Sequence, residues 1–137
     1  MSEPSQDSLL QRLSRIEAIL QLFTPEEIEE RLQVRRIQTL VAEYFDLSRL
    51  QLLARGKRRR FSHPRQLAMA LVAEAMPQLS HARIGRAFGH RDPSTVLHAI
   101  HRVAERCADP RFRNEHDTLR RAVKRSAITG TSTHEQD

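Results

Sequence analysis

Ser80-His81-Ala82-Arg83-Ile84-Gly85-Arg86-Ala87-Phe88-Gly89-His90-Arg91-Asp92-Pro93-Ser94-Thr95-Val96-Leu97-His98-Ala99 reads as two helices with a tight turn between them. Ser80 can cap a first helix whose apolar residues Ile84, Ala87 and Phe88 recur at helical spacing, and Gly89 supplies the left-handed residue that ends it. Asp92 is a natural N-cap with Pro93 just inside, so a second helix enters at an angle and runs to about Ala108. On it Leu97, Ile100, Ala104 and Cys107 form one apolar face, while Thr95, Ala99 and Arg102 form another of small or cationic residues. An exposed face with few bulky groups lets a helix lie deep in a major groove about 12 Å wide. From Ser80 to Cys107 the pattern is a helix-turn-helix, although a glycine turn between paired helices also occurs in helical cores.

Outward from this stretch, every other ordered segment also reads as helix. Leu9, Leu13, Ile16, Leu20 and Phe23 form a heptad stripe of about two repeats, short of the three to four that specify a coiled coil. Thr24-Pro25-Glu26-Glu27 starts a new helix, with Thr24 as N-cap, Pro25 in the first position and Glu27 as the capping-box partner. Its apolar face is clearest from Ile37 through Leu40, Val41, Tyr44 and Phe45, and a short helical turn is predicted from Leu47 to Leu53. A further helix is expected over Gln66 to Met76, with Pro64 in its first turn and Pro77 ending it, and a last one from Pro110 to about Ala127. No stretch alternates as a strand does. The class is all-α, divided into an amphipathic segment 1–33, a domain 34–127 and a polar tail 128–137 expected to lack order.

Charge is distributed unevenly. The chain of 137 residues carries a formal +6, yet residues 1–30 hold Glu3, Asp7, Glu17, Glu26, Glu27, Glu29 and Glu30 against only Arg12 and Arg15, a net −5 that leaves +11 for the rest. A basic domain of this size usually meets a polyanion. Between Asp46 and Glu74 there is no carboxylate, while Arg49, Arg55, Lys57, Arg58, Arg59, Arg60 and Arg65 all occur. Such a run is often only a solvated face. Here Gly56-Lys57-Arg58-Arg59-Arg60 reads as a flexible loop between helices, suited to a phosphate backbone or a narrow minor groove. With the lone Cys107, no signal-peptide pattern and no apolar run near the roughly 20 residues of a membrane span, a cytoplasmic location is expected.

Four ordered blocks, Val41-Ala42-Glu43-Tyr44-Phe45, Arg58-Arg59-Arg60, Pro64-Arg65-Gln66-Leu67-Ala68-Met69-Ala70 and Ile84 through Ala99, agree in type and spacing with one family. Over about residues 34 to 125 the chain resembles the C-terminal DNA-binding domain of the bacterial replication initiator DnaA. The resemblance implies a Trp-repressor-like helix-turn-helix that binds double-stranded DNA at DnaA-box-like sites to regulate replication initiation or transcription. It implies base contacts from Asp92, Pro93, Ser94 and Thr95, with Ala99 on a thymine methyl and Arg65 and Gln66 adding base and backbone contacts. Lys57, or Arg58 in its place, is implied in the minor groove. Arg59, Arg60, Arg91 and Arg102 complete the expected minor-groove and phosphate set. The chemistry agrees: hydroxyls can hydrogen-bond bases, alanine can pack on a methyl, and a carboxylate can accept from cytosine N4. For Asp92 a helix cap alone is the competing reading.

The chain departs from the family at two places. Pro93 stands where histidine is common, so one base contact worth about 1 to 3 kcal/mol is altered. No G-x-x-x-x-G-K-[ST] loop is present, the only glycines being Gly56, Gly85, Gly89 and Gly130, so no nucleotide cofactor and no ATP-driven origin opening are expected. His98, His101 and Cys107 lack the further ligands and spacing of a metal site, and no nucleophile sits in a catalytic motif. The reading is therefore a non-enzymatic DNA-binding protein. Its alternatives are an adaptor that brings a partner to DNA, or a transcriptional regulator with an unrelated target. A homodimer or a protein partner is expected to use residues 9–23.

Overall fold

A computed structural model describes residues 6–56 and 58–131. Among the described residues there are seven helices and no strand, and the chain divides into two compact units, one ending at Leu32 and the other beginning at Gln33.

The first unit contains α1 (Gln6–Gln21) and the start of α2 (Pro25–Tyr44). The break between them is the capping box read from the sequence. The Thr24 amide donates to Glu27 Oε2 at 3.0 Å, and the Glu27 amide donates to Thr24 Oγ1 at 3.1 Å. The Arg31 guanidinium lies 4.2 Å from the centre of the Phe23 ring.

The second unit takes the rest of α2, then α3 (Arg49–Leu53), α4 (Arg59–Ala75), α5 (His81–Ala87), α6 (Pro93–Arg106) and α7 (Pro110–Thr131). Its core joins Ile37 and Val41 of α2, Leu52 of α3, Leu67, Met69 and Val72 of α4, Ile84 and Phe88 around α5, and Val96 of α6. Phe112, Leu119 and Val123 of α7 close it. α4 packs chiefly on α6, and α5 on α6, so the central α4 holds the paired helices from behind. Ser48 starts α3 with a second capping box, its Oγ accepting from the Gln51 amide at 3.0 Å and its amide donating to Gln51 Oε1 at 2.9 Å.

The structure corrects two boundaries. α4 begins at Arg59, not near Gln66, so Arg59 and Arg60 lie in a helical first turn and not in a flexible loop. The Phe61 and Ser62 amides both donate to the Arg58 carbonyl and set that start. Pro64 then sits inside the helix, where it removes only the N–H that would meet the Arg60 carbonyl. α7 continues to Thr131, past the expected end near Ala127. The last six tail positions, 132–137, and Lys57 lie outside the described residues. No helix among the described residues is long and apolar enough to cross a membrane.

Candidate nucleic-acid interface

The turn between α5 and α6 is built by backbone proximity. Gly89 (φ 78°) and His90 (φ 58°) are consecutive left-handed residues, after which the Arg91 amide donates to the Gly85 carbonyl at 2.8 Å. A Cβ on Gly85 would stand 2.1 Å from the Arg91 carbonyl oxygen, so only glycine lets the turn lie against α5. From the other side Gln38, fully buried in α2, donates from Nε2 to the Ala87 carbonyl at 2.9 Å and accepts from Arg49 Nε at 2.9 Å. One amide thus ties α2, α3 and the end of α5 together. Its sequence signal is a polar residue inside the Val34, Ile37, Val41 stripe.

α6 opens on Asp92, extended at ψ 151°, with Pro93 in the first turn. The Asp92 carbonyl takes the Thr95 and Val96 amides at 3.0 and 3.3 Å, but its carboxylate makes no capping hydrogen bond. Asp92 thus holds the N-cap position expected of it through its backbone, and its carboxylate takes no part in the cap. Asp92, Pro93, Ser94 and Thr95 are all exposed and form one continuous polar tip. Farther along, the buried face of α6 is rotated relative to the sequence expectation, although Ile100 and Cys107 pack on the core and Thr95 and Arg102 are exposed as expected. Val96, Ala99 and Val103 are the buried residues, while Leu97 is 42% exposed and Ala104 is exposed. Ala99, expected on a thymine methyl, is only 1% exposed and belongs to the core. The outer face consists of Leu97, His98, His101 and Arg102.

Two further expected contacts are relocated. Arg65 is 5% exposed, and its guanidinium fastens the α3–α4 connection: Nε donates to the Leu52 carbonyl at 2.9 Å, Nη2 to Ala54 at 2.6 Å and Nη1 to Gly56 at 3.3 Å. Arg91 reaches the same connection, donating from Nη2 to the Ala54 carbonyl at 3.0 Å and from Nη1 to Leu53 at 3.3 Å and to Phe88. Both guanidiniums are engaged by main-chain carbonyls, and they meet at Ala54 and hold residues 52–56 beside the start of α6. Burial, and then the nearby charge of Arg91, lowers the pKa of Arg65 to about 10. It still carries its charge at neutral pH. Burial and Arg55 lower that of Arg91 in turn.

Around this seam lies an outer ring of cations. Arg55, Arg58, Arg59, Arg60 and Arg102 are exposed. Arg102 and Arg59 both act on Arg106, whose pKa is lowered first by burial and then by those two charges. The first turn of α4 and the outer face of α6 therefore share one positive field. No acidic residue lies in the first turn of α4, and its N-cap Arg58 offers no side-chain acceptor, so that end has helix-dipole positivity as well as guanidinium charge. Gln66, one step from Arg65, is half-buried. Behind the face, His63 links α4, α6 and α7: it contacts Arg106 Nη1 through Nδ1, lies 3.4 Å from Glu115 Oε1, and packs edge-on against Phe45 and Phe112.

Comparison with known proteins agrees with this geometry. Residues 34–103 match the sequence profile of the family described as "Bacterial dnaA protein helix-turn-helix". The chain is 34% identical over 116 residues to the chromosomal replication initiator protein DnaA of Bartonella quintana, covering 84% of this chain and 23% of that protein. It is 38% identical over 89 residues to the DnaA of Nitrosomonas eutropha, covering 64% and 19%. The chain thus spans about a quarter or less of the length of these curated relatives. Among solved structures it is similar to one described as "Crystal structure of DNA replication initiation factor", with a TM-score of 0.63 and 26% identity, over 83% of this chain and 36% of that one.

Proposed function

Since this chain belongs to the bacterial DnaA helix-turn-helix family, we propose that it binds double-stranded DNA sequence-specifically and acts at DnaA-box-like sites to regulate replication initiation or transcription. The observation that carries the reading is the tip of α6: Asp92 to Thr95 stand exposed, with the Asp92 carboxylate unused in capping, beside a ring of arginines. In the major groove the Ser94 and Thr95 hydroxyls hydrogen-bond base edges, Asp92 accepts from cytosine N4, and Pro93 gives an apolar contact. Gln66 adds a contact at the edge of this surface. Arg58, Arg59, Arg60 and Arg102 neutralise phosphates, and Lys57 enters the minor groove. Arg65 and Arg91 position that segment from inside. The role is binding, without catalysis or nucleotide, in the cytoplasm where chromosomal DNA is reached.

Selection of bound sequences from random duplexes near physiological salt tests this. Enrichment of a single asymmetric box similar to the initiator's is expected, with a change at the step facing Pro93. An unrelated palindrome would replace the replication reading with a transcriptional one, and absence of any enriched sequence would overturn base readout.

A further inference from the structure

The first unit carries a surface that DNA binding leaves unexplained. Leu9, Leu10, Leu13, Ile16, Ile19, Leu20 and Leu22 of and next to α1 are each between 45% and 78% exposed. A contiguous apolar strip of this kind on a water-facing helix marks an interaction surface. We propose that α1 pairs with α1 of a second copy of this chain as a short parallel two-stranded coil.

The pairing follows from register. With Leu13 and Leu20 in the first core position of the heptad, Leu9 and Ile16 occupy the second, and the seam runs along one side of α1. Arg12 and Ile19 then flank the core on one side, and Leu10 and Glu17 on the other. In a parallel pair each flanking residue meets the one five positions later in its partner, so Arg12 faces Glu17 of the second copy, twice by symmetry. An antiparallel pair would instead set Arg12 against Ile19 and Leu10 against Glu17, a charge against an aliphatic group at every flank. Charge complementarity therefore selects both the occupant, an identical helix, and its direction.

Two heptads make a weak coil, and its consequence appears where two copies are already close together. Bound to neighbouring boxes on one duplex, two chains face each other at an effective concentration of order millimolar. A coil with a dissociation constant of order 0.1 mM would then bind two boxes about tenfold more tightly than independent sites allow. That part rests on the DNA-binding reading above, whereas the pairing itself does not.

Sedimentation equilibrium of the full chain, from micromolar to millimolar, provides the test. The mean mass should rise from 15.9 kDa toward twice that value. Ile16→Glu with Leu20→Glu should hold it at the monomer value, with an unchanged melting temperature showing that the second unit is intact. Arg12→Glu and Glu17→Arg should each weaken pairing several-fold, and the two together should restore it. A constant monomer mass, or pairing indifferent to both the core and the charge variants, would overturn the proposal. On DNA, the Ile16→Glu, Leu20→Glu variant should lose the tenfold two-box advantage while keeping its affinity for one box. If single-box binding is absent but self-association persists, the DNA reading fails and the pairing stands.

Discussion

The arginines of the second unit fall into two regions with opposite surroundings. Arg65 and Arg91 lie in a seam beneath residues 52–56, their donors on the carbonyls of Leu52, Leu53, Ala54, Gly56 and Phe88. Arg55, Arg58, Arg59, Arg60 and Arg102 form the outer ring. The seam converts guanidinium charge into shape, because a planar fork can satisfy several main-chain oxygens at once. The ring keeps its charge for a polyanion. The difference shows that basic composition overstates the contact surface: some of the charge that suggests DNA is what fixes the loop presenting the rest.

Removing a seam arginine should have the largest effect. Arg65→Ala leaves the Leu52 and Gly56 carbonyls without their donor and the Ala54 carbonyl with Arg91 alone, and the Leu52 contact is fully buried. A loss of about 3 kcal/mol in unfolding free energy is expected, measured by urea denaturation of the full chain. DNA affinity should fall as well, because residues 52–56 lose their anchor. Full stability with selectively lost base discrimination would return Arg65 to the reading surface and collapse the distinction between seam and ring.

A smaller and differently shaped effect is expected at the tip of α6. Thr95→Ala removes an exposed hydroxyl, so stability should change by no more than about 0.5 kcal/mol. Discrimination between a selected box and a scrambled duplex should fall by about 1 to 3 kcal/mol. Competition binding at fixed salt measures it. Equal loss on both duplexes would show that the tip grips the backbone without reading bases.

These contrasts also mark how far the sequence could be read. The helix-turn-helix was legible because its signals are local: Ser80 and Asp92 each start a helix at the expected position, and Gly89 takes a positive φ. The two sides of α6 were not. Val96, Ala99 and Val103 repeat at helical spacing just as Leu97, Ile100 and Ala104 do, and packing against α4 and α5 centres the buried face on the first set, with Ile100 at its edge and Leu97 and Ala104 exposed. Arg65 and Arg58 look equivalent in a run of cations until the start of α4 at Arg59 fixes the phase of the helix. That start was hidden because Pro64 normally marks a first turn, whereas here it lies farther inside. Gln38 stands out as a polar residue in an apolar stripe, but its partner Ala87 lies 49 positions away, and the close approach of Gly85 to Arg91 depends on how tightly the turn folds back.

The smallest effect belongs to the ring, and its sign is informative. Arg102 is exposed and presses on Arg106, which is already disfavoured by burial and also faces Arg59. Arg102→Ala therefore relieves like-charge repulsion, and the melting temperature should stay unchanged or rise slightly. If the side chain neutralises one phosphate, the same change should reduce the magnitude of the slope of log K against log salt by about 0.9, equally for selected and scrambled duplexes. A seam residue cannot behave this way, because its removal weakens the fold and the binding together. Parallel titrations over a range of salt concentrations, with a thermal melt of the same protein, separate the two. An unchanged slope would remove Arg102 from the DNA-facing ring, and a fall in melting temperature would place it among the residues that hold the fold.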